Sequence, residues 1–419
     1  LLLRVVRNHM TLHFTLLNIS TGSRRPEVWP KAWSLTGKWV KSKAFYLNEY
    51  SKELRKHQLG MTQDAEDWFK EFGIASDNFQ DLHSLAEMFE GEGNTKEAIK
   101  VYQHIIKYEL SSDGAKHALE LIRSKSIPNW HFDMLSDTRR NDAFEKAISK
   151  VATEKSRALD IGTGSGLLAM MAARAGAASV LACEENSDLA NVAERIVEAN
   201  GYSDNIRVVN KRSDQLEEGD DFEQKFDLIV SEILDSGGLG EGILSSLRQA
   251  KREMGTPDVK IIPAGISLKA QLIEFPERYL VNPIKDISGF DLSIFNEFRV
   301  SDTYVPVDLK HEDYLPLSEV FNLRAYDFYN IHAQEIDFDN PEVDSIQVEI
   351  RQEGQVQAVA FWFDLHMDED ESYSTGPGGE LDHWLQAVYF FEQPKDVSKG
   401  DQVAIKAVYS DWKVRFRLP

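Results

Sequence analysis

The sequence holds one cysteine, Cys183, in 419 residues. A single thiol excludes an internal disulfide framework and any cysteine-rich zinc site. A reducing, intracellular setting is therefore expected, cytoplasmic, nuclear or both. Basic residues are also short: 47 Lys and Arg stand against 69 Asp and Glu, a formal net charge of −22. That deficit speaks against direct nucleic-acid binding, which needs a basic surface. It suits basic partners steered by acidic surface, or a plainly solvated acidic face. A membrane span is not expected. The opening stretch LLLRVVRNHMTLHFTLL is broken by Arg4, Arg7, Asn8 and His9, too short and too polar to cross a bilayer. The chain does not begin with Met. Residues 1–43 read either as part of a fragment or as translation running upstream of a start such as Met10, and they carry no structural assignment.

What is present falls into three textures. Residues 44–126 show helical periodicity with little glycine. In LHSLAEMFEGEGNTKEAIKVYQHIIKYEL, Leu85, Ala86 and Phe89 share one helix, and Ala98 and Tyr102 the next. Small residues permit close helix approach and aromatics fill the groove, at the spacing of a tetratricopeptide repeat. A weaker preceding copy runs through AFYLNEYSKELRKHQ and QDAEDWFKEF. Residues 127–265 alternate β-rich runs (RALDIG, SVLACEE, IRVVN, FDLIVSE) with helical ones. That order predicts a parallel sheet with crossover helices, an α/β Rossmann-like domain. Residues 266–419 carry successive strand-like runs, several alternating with period two, which predicts an antiparallel β-barrel or sandwich.

The chemistry begins at ALDIGTGSGLLAMMA. A strand ends at Asp160, Gly162, Gly164 and Gly166 follow, and a helix opens. Glycines there let backbone turn tightly and approach a ligand. Glu184 ends the next strand, twenty residues past Gly164, where a carboxylate grips two ribose hydroxyls. The dinucleotide pattern G-x-G-x-x-G is missing; the loop is D-x-G-x-G-x-G, which suits S-adenosylmethionine, a ligand with no pyrophosphate. Asp214, after the third strand, is placed to accept from an adenine amino group. The fourth strand runs into SEILDSGGLGEG, where Glu232 and Glu241 lie nine residues apart with Asp235 between them. The Asn/Asp-Pro-Pro-Tyr/Phe loop of base methylation is absent at that strand end.

Together WHFDMLSDTRRNDAF, LDIGTGSG, SEILDSGGLGEG and DHW (Asp382 to Trp384) resemble the protein arginine methyltransferases, over about Trp130 to Pro419. The helical repeat in front narrows the resemblance to the family's ninth, tetratricopeptide-containing, symmetric-dimethylating branch. The resemblance implies a nucleotide-binding α/β domain followed by a β-barrel, with the active site between them. It also implies residue roles. Arg140 pairs with the cofactor carboxylate, Glu184 takes the ribose, and Ser213 and Asp214 meet adenine beside Asp160 and the loop glycines. Glu232 and Glu241 hold the substrate guanidinium. His383, paired with Asp137, is the candidate proton relay. Asp235, Trp384 and Met134 are the candidate substrate-side residues, and no metal is expected. IKDISGFDLS resembles the family's arm, placed at residues 283–316, with Phe290, Ile294 and Phe298 available for docking. The partners implied are an arginine-containing protein, in the nearest relatives an RNA-processing one, and a second copy or a second methyltransferase-like module. Two departures stand out. The tyrosine pair that many relatives carry before the WHFDML position is missing from LIRSKSIPN, and Asp382 replaces the family's Thr. The alternative is a weak or inactive methyltransferase-like scaffold that docks a basic partner through its helical repeats.

Overall fold

The computed structural model describes residues 78–91, 93–108, 112–279, 284–298, 302–331, 341–378 and 383–419. The weaker repeat copy, the N-terminal segment and Asp382 lie outside them. Two compact units divide the chain between Lys125 and Ser126.

The first unit is helical. Helices α1 (Phe79–Gly91) and α2 (Thr95–Tyr108) form a hairpin, followed by α3 (Asp113–Ser126). Leu82, Leu85, Ala86 and Phe89 of α1 are buried with Ala98, Val101, Tyr102 and Ile105 of α2, and with Ala115, Leu119 and Ile122 of α3. The five residues that the sequence pattern singled out all lie in this core. Tyr102 lays its ring in the groove and donates its hydroxyl to Glu90 at 2.6 Å, so a buried aromatic keeps its polar end satisfied.

The second unit starts with α4 (Trp130–Ser136), a short helix with no buried residue, and α5 (Thr138–Val151). A five-stranded sheet follows: β1 (Arg157–Ile161), β2 (Ser179–Cys183), β3 (Ile206–Val209), β4 (Phe226–Ser231) and β5 (Gly255–Ile262). All pairings are parallel, in the order β3-β2-β1-β4-β5. Helices α6 (Leu167–Arg174), α7 (Ser187–Ala199) and α8 (Ile243–Glu253) connect them. The strand order reverses between β1 and β4, and the crevice outside the strand C-termini at such a point is where α/β sheets take ligands. Strand β5 was not legible as a strand. It holds Pro257, Asp258 and Lys260 and sits at the sheet edge, where a missing N–H and exposed charges are tolerated.

The rest is antiparallel. Strand β6 (Gly265–Glu274) pairs with β13 (Gly354–His366) from Gly265↔His366 to Ile273↔Ala358, and β13 with β15 (Gln386–Val397). Around them stand β9 (Val305–Val307), β10 (Leu315–Pro316), β11 (Phe321–Asp327) and β14 (Ser372–Ser374), completing a seven-stranded sheet. A three-stranded sheet of β12 (Glu342–Glu349), β16 (Gln402–Tyr409) and β17 (Val414–Arg417) joins them in a barrel-like subdomain. One hydrophobic core runs from the parallel sheet, through Leu234 and Leu239, into Ile266, Phe363 and Trp384. The loop after β4 that carries Glu232 and Glu241 is therefore packed between two sheets. Between β6 and β9, β7 (Asp286–Ile287) and β8 (Phe290–Asp291) form a small hairpin, with Phe290, Ile294 and Phe298 exposed at 69%, 76% and 81%.

Candidate active site

A cleft of about 980 Å³ opens over the C-terminal ends of β1 to β4. Gly162, Gly164, Glu184, Ser213, Asp214, Arg140, Glu232, Glu241 and Met134 all stand on its wall. Residues scattered over more than a hundred positions are gathered there because parallel strands point one way and end at one edge.

At one end lies the loop after β1. Gly162, Gly164 and Gly166 adopt φ of +69°, +56° and +82°, the left-handed region that side chains disfavour. A Cβ on Gly162 would also meet Ile233 at 2.5 Å, so that glycine lets the loop sit against the residue next to Glu232. Glu184 is 7% exposed. Its Oε2 accepts from the Gly164 N–H at 3.0 Å and its Oε1 from the Asn186 N–H at 2.9 Å. Each oxygen keeps further acceptor capacity toward the cleft. A backbone-cradled carboxylate beside an exposed glycine loop fits the ribose of an S-adenosyl cofactor. Asp214 is also on the wall, held by Arg212, whose Nε donates at 2.9 Å; this hydrogen bond lowers its pKa.

At the other end, Glu232 accepts from the Arg140 guanidinium in a buried ion pair. Arg140 also donates to Asn141 at 2.7 Å, while its Nε is buried without a partner. Thus the arginine expected at the cofactor carboxylate is paired with Glu232. Glu241 is different. No hydrogen bond reaches its carboxylate among the described residues. Burial pushes its pKa up to about 7, and the Glu232, Asp235 and Glu184 carboxylates add to the shift. Its residue surface is nevertheless open to the cleft. The cleft's other cations are already matched: Lys211 with Asp221 (2.6 Å), Arg248 with the buried Asp411 (2.5 Å) and Arg252 with Glu253 (2.5 Å). A cation entering here finds Glu241 uncompensated.

Five expected site residues do not reach the cleft wall. Asp160 lies wholly buried beneath the glycine loop, accepting from the Thr163 hydroxyl at 2.5 Å; burial pushes its pKa up to about 7. It shapes the loop rather than touching a ligand. His383 turns Nδ1 to Asp137 Oδ2 at 3.1 Å with its side chain only 6% exposed. The expected pair is therefore formed, but behind the wall, where it caps α5. Asp137 Oδ1 accepts from the Arg140 N–H at 3.0 Å and its Oδ2 from the Tyr373 hydroxyl at 2.9 Å. Burial alone would raise the Asp137 pKa, but His383, the Arg140 N–H and Tyr373 together hold it well below the usual range. Trp384 is 4% exposed and donates Nε1 to the Leu234 carbonyl at 2.9 Å, bracing the clamp loop from below. Asp235 has both oxygens engaged inside the protein: Oδ1 with the Gly240 N–H (2.8 Å), Oδ2 with the Tyr304 hydroxyl (2.5 Å). Gly166 likewise stands off the wall, capping α6.

The sequence reading missed Trp412 and the α8 face of Ser245, Gln249 and Arg252, all on the cleft wall. The i, i+4 spacing of Ser245 and Gln249 was a usable signal; nothing local marks Trp412.

Comparison with known proteins identifies the family and the fold. Residues 267–417 match the model of the arginine methyltransferase oligomerization subdomain, and residues 145–279 that of ribosomal protein L11 methyltransferase (PrmA). An arginine N(omega)-methyltransferase of Streptomyces achromogenes subsp. streptozoticus is 35% identical over 301 residues, 72% of this chain and 81% of that protein. The chain belongs to the arginine methyltransferase family. Mouse protein arginine N-methyltransferase 9 is 31% identical over 405 residues, 89% of this chain but 47% of that protein. The chain thus spans about half the length of that relative. Two solved structures share the fold. They are a Trypanosoma brucei PRMT1 enzyme–prozyme heterotetrameric complex with AdoHcy (TM-score 0.58, 24% identity, 68% of this chain and 88% of that one) and Arabidopsis thaliana protein arginine methyltransferase 10 (TM-score 0.56, 21%, 70% and 98%).

Proposed function

We propose that the chain transfers methyl groups from S-adenosylmethionine to the guanidino nitrogens of arginines in a protein, giving mono- and symmetric dimethylarginine. The observation that supports it best is the Glu232/Glu241 pair on the same cleft wall as Glu184 and the glycine loop, with Glu241 bare of any donor among the described residues. A guanidinium is planar and carries five donors, so two carboxylates can hold it in paired, charge-assisted hydrogen bonds. They fix one nitrogen toward the methyl donor and draw positive charge onto the others. When bound, the cofactor supplies an electrophilic methyl group on a sulfonium sulfur. Glu184 is assigned to its ribose, Ser213 and Asp214 to its adenine, and Arg140 to its carboxylate. Glu241, with its raised proton affinity, is the wall residue suited to receive the proton that the nitrogen loses.

The finer reading rests on the sequence resemblance. The α1–α2 hairpin is read as a tetratricopeptide-like unit that docks a protein, an RNA-processing one as that resemblance implies, in cytoplasm or nucleus. The exposed Phe290, Ile294 and Phe298 are read as the arm face that pairs with a second copy or a second methyltransferase-like module. A second reading has one observation behind it: the relative that this chain covers to 81% is named for arginine itself. Free arginine is then the acceptor.

One experiment separates the readings. The chain is incubated with S-adenosylmethionine and either an arginine-rich peptide or free arginine, and the product is analysed by mass. Peptide methylation supports the proposal, and methylation of free arginine alone shifts it to the second reading. Glu241→Gln is expected to cut kcat/KM by about 100-fold or more while S-adenosylhomocysteine affinity stays within about threefold. Full activity in that variant overturns the clamp assignment.

A further inference from the structure

The Asp235 carboxylate is engaged inside the protein rather than on the cleft wall. Its Oδ1 accepts from the Gly240 N–H at 2.8 Å, and Gly240 immediately precedes Glu241. Its Oδ2 accepts from the Tyr304 hydroxyl at 2.5 Å. Tyr304 comes from a distant part of the chain, one residue before β9. We infer that Tyr304 is a positioning residue for the guanidinium clamp: it fixes Asp235, which fixes the Gly240 amide and so the direction in which Glu241 points. The inference deepens the proposed function and, for its kinetic part, rests on it.

Further contacts hold this side chain and its acceptor in place. The Tyr304 ring lies directly on Gly237, where a Cβ would meet Cζ and the hydroxyl at 2.5 Å. A Cβ on Gly240 would meet the Asp235 carboxylate at 2.3 Å. Two of the loop glycines therefore leave room for this pair of side chains, rather than serving only to reverse the chain. The ring is also fixed from the barrel side. It meets Phe361 edge to face at 5.1 Å and 89°, a favourable aromatic geometry. Two residues upstream, Asp302 accepts from the Tyr389 hydroxyl at 2.6 Å and from Arg415 at 2.9 Å. The hydroxyl's position is thus set by the barrel and delivered to the loop. Burial, reinforced by the Asp235 carboxylate, raises the Tyr304 pKa far above the ordinary phenol range, so the phenol stays a donor at any working pH. A hydrogen bond to a charged acceptor is the strong kind, and a clamp displaced by even an ångström loses its in-line geometry.

The test uses the full chain and Tyr304→Phe, which keeps the ring and removes only the hydroxyl. Hydrogen exchange, followed over residues 233–241 and over residues 161–167, reads the geometry without requiring any reaction. The expected result is faster exchange in 233–241 and no change in 161–167. Unchanged exchange in 233–241 overturns the inference. Kinetics with the arginine peptide then read the consequence: about a tenfold fall in kcat, KM within twofold, and S-adenosylhomocysteine affinity unchanged. Because the two side chains act in series, Tyr304→Phe combined with Asp235→Asn should cost no more than the worse single variant. Independent, multiplying effects, or an unaltered kcat despite faster exchange, overturn it. Should the unmodified chain methylate neither peptide nor free arginine, the functional proposal fails while the exchange measurement still decides the positioning claim.

Discussion

Glu184 and Glu241 face the same cleft, yet their carboxylates are held by opposite means. Glu184 is cradled by the amides of Gly164 and Asn186, both within about twenty residues of it. Glu241 receives no hydrogen bond among the described residues; its direction depends on the nearby Asp235 through the Gly240 amide and, from far along the chain, on Tyr304 through Asp235 and on Trp384 through the Leu234 carbonyl. The Glu184 end, assigned by the proposal to the cofactor, has its carboxylate already held by two amides. The clamp end is left electrostatically incomplete, which suits a site whose missing charge arrives with the substrate. A buried or crowded carboxylate is costly to ionise unless paired, and here the natural pair is a guanidinium.

If the two ends are separate, variants should separate them. Among these, the largest effect on binding is expected from Glu184→Gln. It should weaken S-adenosylhomocysteine binding by roughly 10- to 100-fold in calorimetry and leave arginine-peptide affinity within about threefold. Equal loss at both ends would dissolve the distinction. A smaller effect should appear with pH. Glu241, raised to about 7, must be ionised to attract a guanidinium. Peptide binding should therefore weaken as pH falls from 8 to 6, by about tenfold, and this dependence should vanish in Glu241→Gln. Asp160, beneath the glycine loop, is also raised to about 7, so any pH dependence of S-adenosylhomocysteine binding over this range should persist in Glu241→Gln; its loss there would undo the separation of the two ends. The smallest effect is expected from Trp384→Phe, which keeps a ring against Phe363 and Tyr373 but removes the donor to Leu234. A loss of about 1 kcal/mol in denaturant unfolding and a kcat reduction of roughly threefold, with cofactor affinity intact, would confirm that the barrel braces the clamp alone.

The same division governs how much could be read in advance. The glycine loop, Glu184 and the Glu232/Glu241 pair each follow a strand directly, so spacing along the chain is also spacing in the site. Their assignment to one cleft needed only the rule that parallel strands end at one edge. Asp160, His383, Trp384 and Asp235 were equally visible as residues, but side-chain direction was not. Asp160 turned out to lie beneath its loop, His383 behind Asp137, Trp384 under Leu234, and Asp235 toward Tyr304. Strand β5 was hidden because its proline and charges are allowed only by an edge position that no local pattern announces.

By itself, then, the sequence determined the alternating α/β order, the antiparallel strands, the helical hairpin and the acids at the strand ends, because these depend on periodicity and on residues adjacent in the chain. Only the tertiary structure decided which acids face the cleft and which act as supports. That choice depends on contacts between segments such as Asp235 and Tyr304, or Asp137 and His383, which packing of the barrel against the parallel sheet brings within hydrogen-bond reach.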